Sequence, residues 1–246
     1  MAKIVVKQGS LFLGSLQLSS NVSEIGFSAE AEVKEATSMA SAGWEVPLQG
    51  IRKSKLTAEV MLENIAEPET TLNDLLENET DAPFTVTMTH PPAAGNIAYF
   101  TKVVALTMTR KMQVGELWGG GMDFGPRAEA VRGQVLDYVV DLAASANGGY
   151  VELSGGVATG ERLWLAVHVI AAGGTPTLDL ELESDVDNTF SGPTARITLD
   201  QFTDVGSYIG FVDGPITDEF FRIPATVGGS SPELTYLVVI GIAPAA

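Results

Sequence analysis

The sequence predicts a mainly-β protein in two domains joined by a short flexible stretch. Three observations carry this. Gly 26 and Pro 12 in 246 residues supply turn-formers at a spacing that suits many short strands. Segment after segment shows period-two alternation or a short apolar block, and one stretch alone has leucines at helical spacing. The charge is uneven: residues 1–140 hold 11 Lys+Arg and 17 Asp+Glu, whereas residues 141–246 hold 3 and 14. The expected division is a first domain over 1–142, a linker region over 143–160 that begins in Ala143–Gly149 (AASANGG), and a second domain over 161–246.

The first strand is expected near the amino terminus, with Leu11, Leu13, Leu16 and Leu18 as inward positions. Ala29–Ala36 alternates, with Glu30, Glu32 and Lys34 on one face. Ile51–Leu62 does so more loosely, so Ser28–Leu62 reads as a long hairpin whose broad tip includes Ser38–Gly43. Glu67–Asn78 reads as the one short helix, because Leu72, Leu75 and Leu76 fall on one side. Pro68 suits its first turn, and Glu67 and Glu69 suit the positive end of its dipole. Phe84–Thr89, Ala98–Arg110 and Ala128–Val140 return to strand character, with Gly119–Gly121 as a break.

In the second domain, Leu163–Ala172, Thr177–Asp187, Ala195–Leu199, Phe220–Ala225 and Leu234–Ile242 are strand-like. Gly-Gly, Gly-Pro and Ser-Pro turns punctuate them, as in an Ig-like or jelly-roll-like β-sandwich. In Asp179–Asp187 every odd position is acidic while Leu180, Leu182 and Val186 point the other way, a half-buried strand with a carboxylate outer face.

Composition excludes several functions. A net charge of −17 argues against a protein that grips phosphates, since that affinity comes from clustered Lys and Arg. With Cys 0 there is no disulfide, thiolate nucleophile or Cys-ligated metal. His90 and His168 are the two histidines; neither lies in a nucleophile motif, and two isolated imidazoles do not make a zinc site. Asp179, Glu181, Glu183, Asp185 and Asp187 lie in a row roughly 6–7 Å per step along a strand and do not converge on one cation. The Asp185–Asn188 turn is the place where convergence is conceivable, and a solvated face that blocks edge pairing is the simpler account. The expectation is therefore a chain with no catalytic, cofactor-binding or metal residues. No apolar run approaches the ~20 residues of a spanning helix, so no membrane insertion is expected, and no export signal is read at the amino terminus.

Residues 20–62 carry a resemblance. An alternating strand leads through a small, flexible loop to Trp44, and then to the turn Pro47-Leu48-Gln49-Gly50-Ile51-Arg52-Lys53-Ser54. This resembles the start of a major tail tube protein of long-tailed bacteriophages. Phe124-Gly125-Pro126-Arg127 to Val131-Arg132-Gly133 resembles the closing strands of such tube domains. LWLAVHVIAAGGTPTLDLELESD, SGPTARITLDQFT, GPITDEFFRI and GGSSPELTYLVVIGI are similar to the β-sandwich appended to some of these tail proteins.

The resemblance implies an N-terminal tail-tube β-sandwich or barrel and an outer C-terminal sandwich. It implies hexameric rings whose hairpins join into one barrel and stack into a hollow conduit for DNA on ejection. The implied partners are further copies of the chain, the tape-measure, tail-tip and terminator proteins, and DNA that passes without sequence-specific binding. The outer domain would meet the host surface or simply decorate the tube. Assembly in the host cytoplasm and residence in the virion tail follow. Within that picture Glu30, Glu32, Glu45 and Glu59 are the lumen-facing candidates, because an anionic bore repels phosphate. Ser38, Met39, Ala40, Ser41, Ala42 and Gly43 are the inter-ring loop candidates. The alternative is a non-catalytic binding or adhesion module of a virion or cell surface. Such modules favour exposed aromatic platforms, and Trp44, Trp118 and Trp164 are dispersed in sequence.

Overall fold

The computed structural model describes residues 9–19, 22–35, 47–61, 77, 81–111, 119–128 and 130–245. Within 22–61 it describes side chains at Thr57 and Glu59. Fourteen strands follow one another among these residues: β1 (Ser10–Leu13), β2 (Leu16–Gln17), β3 (Val22–Glu35), β4 (Pro47–Met61), β5 (Ala82–Thr87), β6 (Ile97–Lys111), β7 (Gly119–Pro126), β8 (Val131–Leu142), β9 (Tyr150–Glu152), β10 (Glu161–Asp185), β11 (Thr194–Thr198), β12 (Gly206–Asp213), β13 (Phe220–Arg222) and β14 (Ala225–Pro244). The fold is mainly β, as expected. The helix expected over Glu67–Asn78 lies, apart from Glu77, outside the described residues.

The chain divides into two compact units: Met1–Ser20, Asp81–Val103 and Arg127–Ala246 form one, and Asn21–Thr80 with Val104–Pro126 form the other. The expected division at 142/161 follows the chain, whereas the contacts follow the sheet. β8 pairs with β14 from Gly133↔Gly241 to Leu142↔Leu234, and β6 pairs with β8 and β5, so residues before 142 share a sheet with residues after 161. The region read as a linker is also built in: β9 pairs with β13, and Ala146 bridges Ala225.

In the larger unit the hydrogen-bonded order is β2-β1-β5-β6-β8-β14-β10, with β12 on β10 and a second group of β11, β13 and β9 beside the far half of β10. The central ribbon is β10, 25 residues, against β14, 20 residues. Over Leu163–Val169 and Leu234–Ile240 both of its faces are buried, which is why the sequence there runs apolar without alternation. Leu163, Leu165, Val167 and Val169 join Tyr236, Val238, Ile240 and Phe221 in one core. On the opposite face Trp164 and Ala166 join Leu237, Val239, Phe12, Phe100 and Val131 in another. β1 is likewise buried on both sides, so Phe12 is core together with the expected Leu11 and Leu13; Leu16 is half-buried and Leu18 buried.

Two turns read from the sequence prove to be bends. Leu163–Ala172 and Thr177–Asp185 form one strand, and so do the segments around Gly228-Gly229 and Ser231-Pro232. β10 and β14 stay paired across the bend, Thr175 with Ser230 and Pro176 with Gly229, with register shifts at Val169/Ala171 and Gly173/Thr175. Gly174 has φ +75, and a Cβ there would overlap the Ser231 carbonyl oxygen, so the glycine lets two paired strands fold over together without separating them.

In the smaller unit β3 pairs with β4, β4 with β7, and β7 with β6. Ile25↔Ala58, Phe27↔Leu56 and Leu56↔Phe124 set the register. Met122 and Phe124 are buried and Asp123 between them is partly exposed, the alternation of a sheet with one covered face.

Candidate functional site

The hairpin β3–β4 pairs over most of its length, 14 residues against 15. At 3.3 Å per residue each strand extends roughly 45 Å. Among the described residues β3 has β4 as its one partner, so its other edge presents an unpaired row of N–H and C=O groups. Two register shifts shape it. Between Ala31 and Val33 the chain advances two residues on β3 and three on β4, from Arg52 to Gln49, a bulge that takes in Gly50-Ile51. A second lies between Val22 and Glu24.

The register assigns the proposed lumen residues specific cross-strand neighbours. Glu30 is opposite Lys53, Ala31 opposite Arg52, and Ser28 opposite Lys55. Glu59 is opposite Glu24 on one side and Gly121 on the other, and its side chain is exposed. Glu32 lies in β3 beside the bulge, while Glu45 and all of Ser38–Gly43 lie outside the described residues. The structure therefore brings Glu24 and Glu59 together. It also sets Arg52, Lys53 and Lys55 into the same hairpin, and of these Lys53 is the one opposite an acid, Glu30.

The acidic row on β10 is less solvated than its alternation suggests. Asp179 is exposed and Glu181 partly so, holding Gln201 and Thr198 at 3.0 Å. Glu183 is instead bound by Arg222 at 2.7 Å, and Asp185 is buried, while Val186, expected inward, is 68% exposed. The reason is tertiary: β11 and β13 flank this half of β10 on both sides, and the strand ends at Asp185. Asp185 accepts from the amides of Val186 (2.7 Å) and Gly192 (3.1 Å), so its two oxygens tie the following loop rather than point to a common centre. No group of three metal-capable side chains occurs among the described residues.

All three arginines of residues 141–246 are engaged by carboxylates: Arg162 with Asp213, Arg196 with Asp218 and Arg222 with Glu183. Arg196 also donates to Ser184 (2.6 Å), whose hydroxyl donates to Asp218 (2.7 Å). That hydroxyl, followed by the arginine, holds the Asp218 carboxyl below its ordinary range against the opposing effect of burial.

The two histidines sit in different settings. His168 is fully buried on β10, and burial pushes its pKa down to about 4. The Gly14 carbonyl can only accept, so Nδ1 carries the proton (2.7 Å) and Nε2 accepts from the Thr85 hydroxyl (2.7 Å). His90 is exposed, with Nδ1 at 2.8 Å from the buried Ser10 hydroxyl. Among the described residues no carboxylate orients its far nitrogen, so the pair lacks the third member of a triad.

No family model matches the sequence, and no curated protein is similar to it. Solved structures do align. A chain of the native gene transfer agent virion aligns over 49% of this chain and 92% of its own, at 11% identity and TM-score 0.40. The SPP1 Dit (gp 19.1) protein aligns over 96% and 100%, at 11% identity and TM-score 0.38. A chain of the phage p2 baseplate in its activated conformation aligns over 94% and 97%, at 8% identity and TM-score 0.36. These neighbours belong to a gene transfer agent virion, a hub adsorption apparatus of phages that infect Gram-positive hosts, and a phage baseplate. Similarity at this level concerns β architecture and decides no function.

Proposed function

We propose that the chain is a structural protein of a phage-type tail that closes into hexameric rings, and that the rings stack into the tube through which DNA leaves. The observation that carries this is the long β3 edge. A 14-residue strand with one partner among the described residues is a template for another copy, and closing a circle satisfies every such edge at once. The sequence resemblance of residues 20–62 to tail tube proteins supports the same reading. A net charge of −17 supports a bore that offers phosphate no resting place. In this reading Glu30, Glu32, Glu45 and Glu59 line the bore and Ser38–Gly43 meets the next ring. Tape-measure, tail-tip and terminator proteins are the other partners, and no enzymatic step is involved.

Negative-stain microscopy of the concentrated full-length protein tests it. Hollow tubes or stacked rings are expected, and strictly monomeric particles overturn the reading. Single rings that never stack would keep the ring and remove the conduit. The bore has its own test. Glu32→Lys in an infectious particle should leave assembly intact and impair genome ejection, and unimpaired infectivity overturns the lumen assignment. Glu32 is preferable to Glu30, because Glu30→Lys would also set two lysines face to face at Lys53.

The second reading, a non-catalytic adhesion module, is favoured by one observation: the fold gathers aromatic side chains at one exposed corner of the larger unit.

A further inference from the structure

Tyr150 on β9, Phe220 on β13 and Phe190 in the β10–β11 loop are dispersed in the sequence and adjacent in the fold. The Tyr150 ring lies 6.0 Å from Phe220, edge to face, and 6.2 Å from Phe190. Tyr150 is 48% exposed although its ring has two aromatic neighbours. A large exposed aromatic backed by others is a surface feature that folding alone does not call for. Phe190 is held at φ +49, a conformation that bulky side chains rarely adopt, and is buried with the Arg222 guanidinium 4.3 Å above its ring.

Polar groups converge on the same corner. The Asn188 amide donates to the Tyr150 hydroxyl (3.1 Å). Asp187 is exposed and accepts from the Thr189 amide (2.8 Å), and bonds from the Thr189 hydroxyl and amide hold its carboxyl below the usual range, so it stays an acceptor at neutral pH. Among the described residues the one cation at the corner, Arg222, is tied to Glu183 at 2.7 Å and stacked on Phe190. An anionic ligand would find no free positive partner there, and Glu152, Asp185 and Asp187 would repel it.

We infer that Tyr150, Phe190 and Phe220, with the Asp187–Asn188 turn, form a binding site for a neutral saccharide. A pyranose has one apolar C–H face, which packs on an aromatic ring, and a rim of hydroxyls that needs donors and acceptors. The open Tyr150 ring supplies the first, and its hydroxyl, the Asn188 amide and the Asp187 carboxylate supply the second. The site goes beyond the structural role proposed above and does not depend on ring formation.

Saturation-transfer difference NMR on the full-length chain tests it. The probes are neutral mono- and disaccharides of glucose, galactose, mannose and N-acetylglucosamine, with glucuronate and choline for comparison. At least one neutral sugar should receive saturation, and glucuronate and choline should not. Tyr150→Ala should abolish the transfer, and Asn188→Ala should weaken binding at least fivefold. Tyr150→Phe, which keeps the ring, should retain part of the binding. All three variants should melt near the parent, since Tyr150 lies on the edge strand β9 and Asn188 is exposed in the β10–β11 loop. Absence of transfer to every neutral sugar overturns the site. So does transfer that survives Tyr150→Ala, and a preference for choline would make the cluster a cation cage instead.

Discussion

The Thr85 hydroxyl on β5 donates to Nε2 of His168 on β10 across 2.7 Å, while Nδ1 of the same ring donates to the Gly14 carbonyl in the β1–β2 turn. One neutral imidazole thus joins three segments that are far apart in sequence, inside a core that water does not reach.

Protonation of that ring should unfold the protein's hold on its N-terminal strands. The folded pKa of about 4 lies below the ordinary 6.5, so the unfolded chain takes up the proton first. This contribution is complete above about pH 6.5 and is lost as pH falls toward 4, in total roughly 3 kcal/mol. Chemical denaturation of the parent and His168→Gln between pH 7 and 4.5 checks it. The parent should lose stability faster, and parallel curves would refute the assignment.

Asp137 should behave in the opposite sense. Burial raises its pKa against bonds from the Gly149 and Tyr138 amides, and its charge helps, after burial, to push the Tyr236 phenol up. Asp137 Oδ2 and Tyr236 OH are both buried without a hydrogen-bond partner. A carboxylate that ionises less readily in the fold costs stability as pH rises. Asp137→Asn should therefore stabilise by about 1 kcal/mol at pH 7, with the gain shrinking as pH drops toward 4. Melting temperatures across that range measure it.

Removing Arg196 strands two partners. Arg196→Ala leaves the Asp218 carboxylate and the Ser184 hydroxyl in a largely buried site, and the expected loss is about 3 kcal/mol. Arg196→Ala combined with Asp218→Ala should cost less than the two single losses together, because the stranded charge is gone. Urea unfolding of the double-mutant cycle gives the coupling.

Gly133 and Gly241 are directly opposite on β8 and β14. A Cβ on Gly133 would overlap the Ile240 carbonyl oxygen, and one on Gly241 would sit 2.9 Å from the Gly133 Cα. Neither neighbour is a flexible tip, so Gly133→Ala should destabilise by about 2–3 kcal/mol. Equilibrium unfolding of the variant, compared with Gly121→Ala, where a Cβ meets nothing within 4 Å, isolates the clash.

The β3 edge can be tested without touching the core. Successive residues of a strand send their N–H groups to opposite sides, so of Ser28→Pro and Ala29→Pro one removes a donor to β4 and the other an outward donor. The outward variant should keep the parent melting temperature and lose rings in negative stain. Rings formed by both variants would show that this edge is not the joint.

Strand existence was legible in the residues because period-two alternation and glycine punctuation are local signals. β5, β6, β8, β10 and β14 all fall where apolar residues cluster. Their ends and partners were not. β12 (GSYIGFVD) and β9 (YVE) carry too little pattern to stand out, and both exist because β10 and β13 offer them an edge. The acidic row on β10 was visible, yet whether Glu183 meets water or Arg222 depends on β13 lying alongside, 39 positions later. The aromatic corner left no trace at all, since Tyr150 and Phe220 are joined only by a β9–β13 ladder.

By itself the sequence determined the β class, the absence of thiol chemistry, the acidic balance and the segments able to form strands, all of which follow from side-chain type and spacing along a line. The tertiary structure alone decided that β10 and β14 carry a core on each face, that their glycines bend instead of turn, and that the long ribbon binds residues before 142 to residues after 161. Pairing between distant strands is a choice among many edges of similar local preference. It is settled by which arrangement buries both faces of the apolar runs and leaves most buried polar groups with a partner.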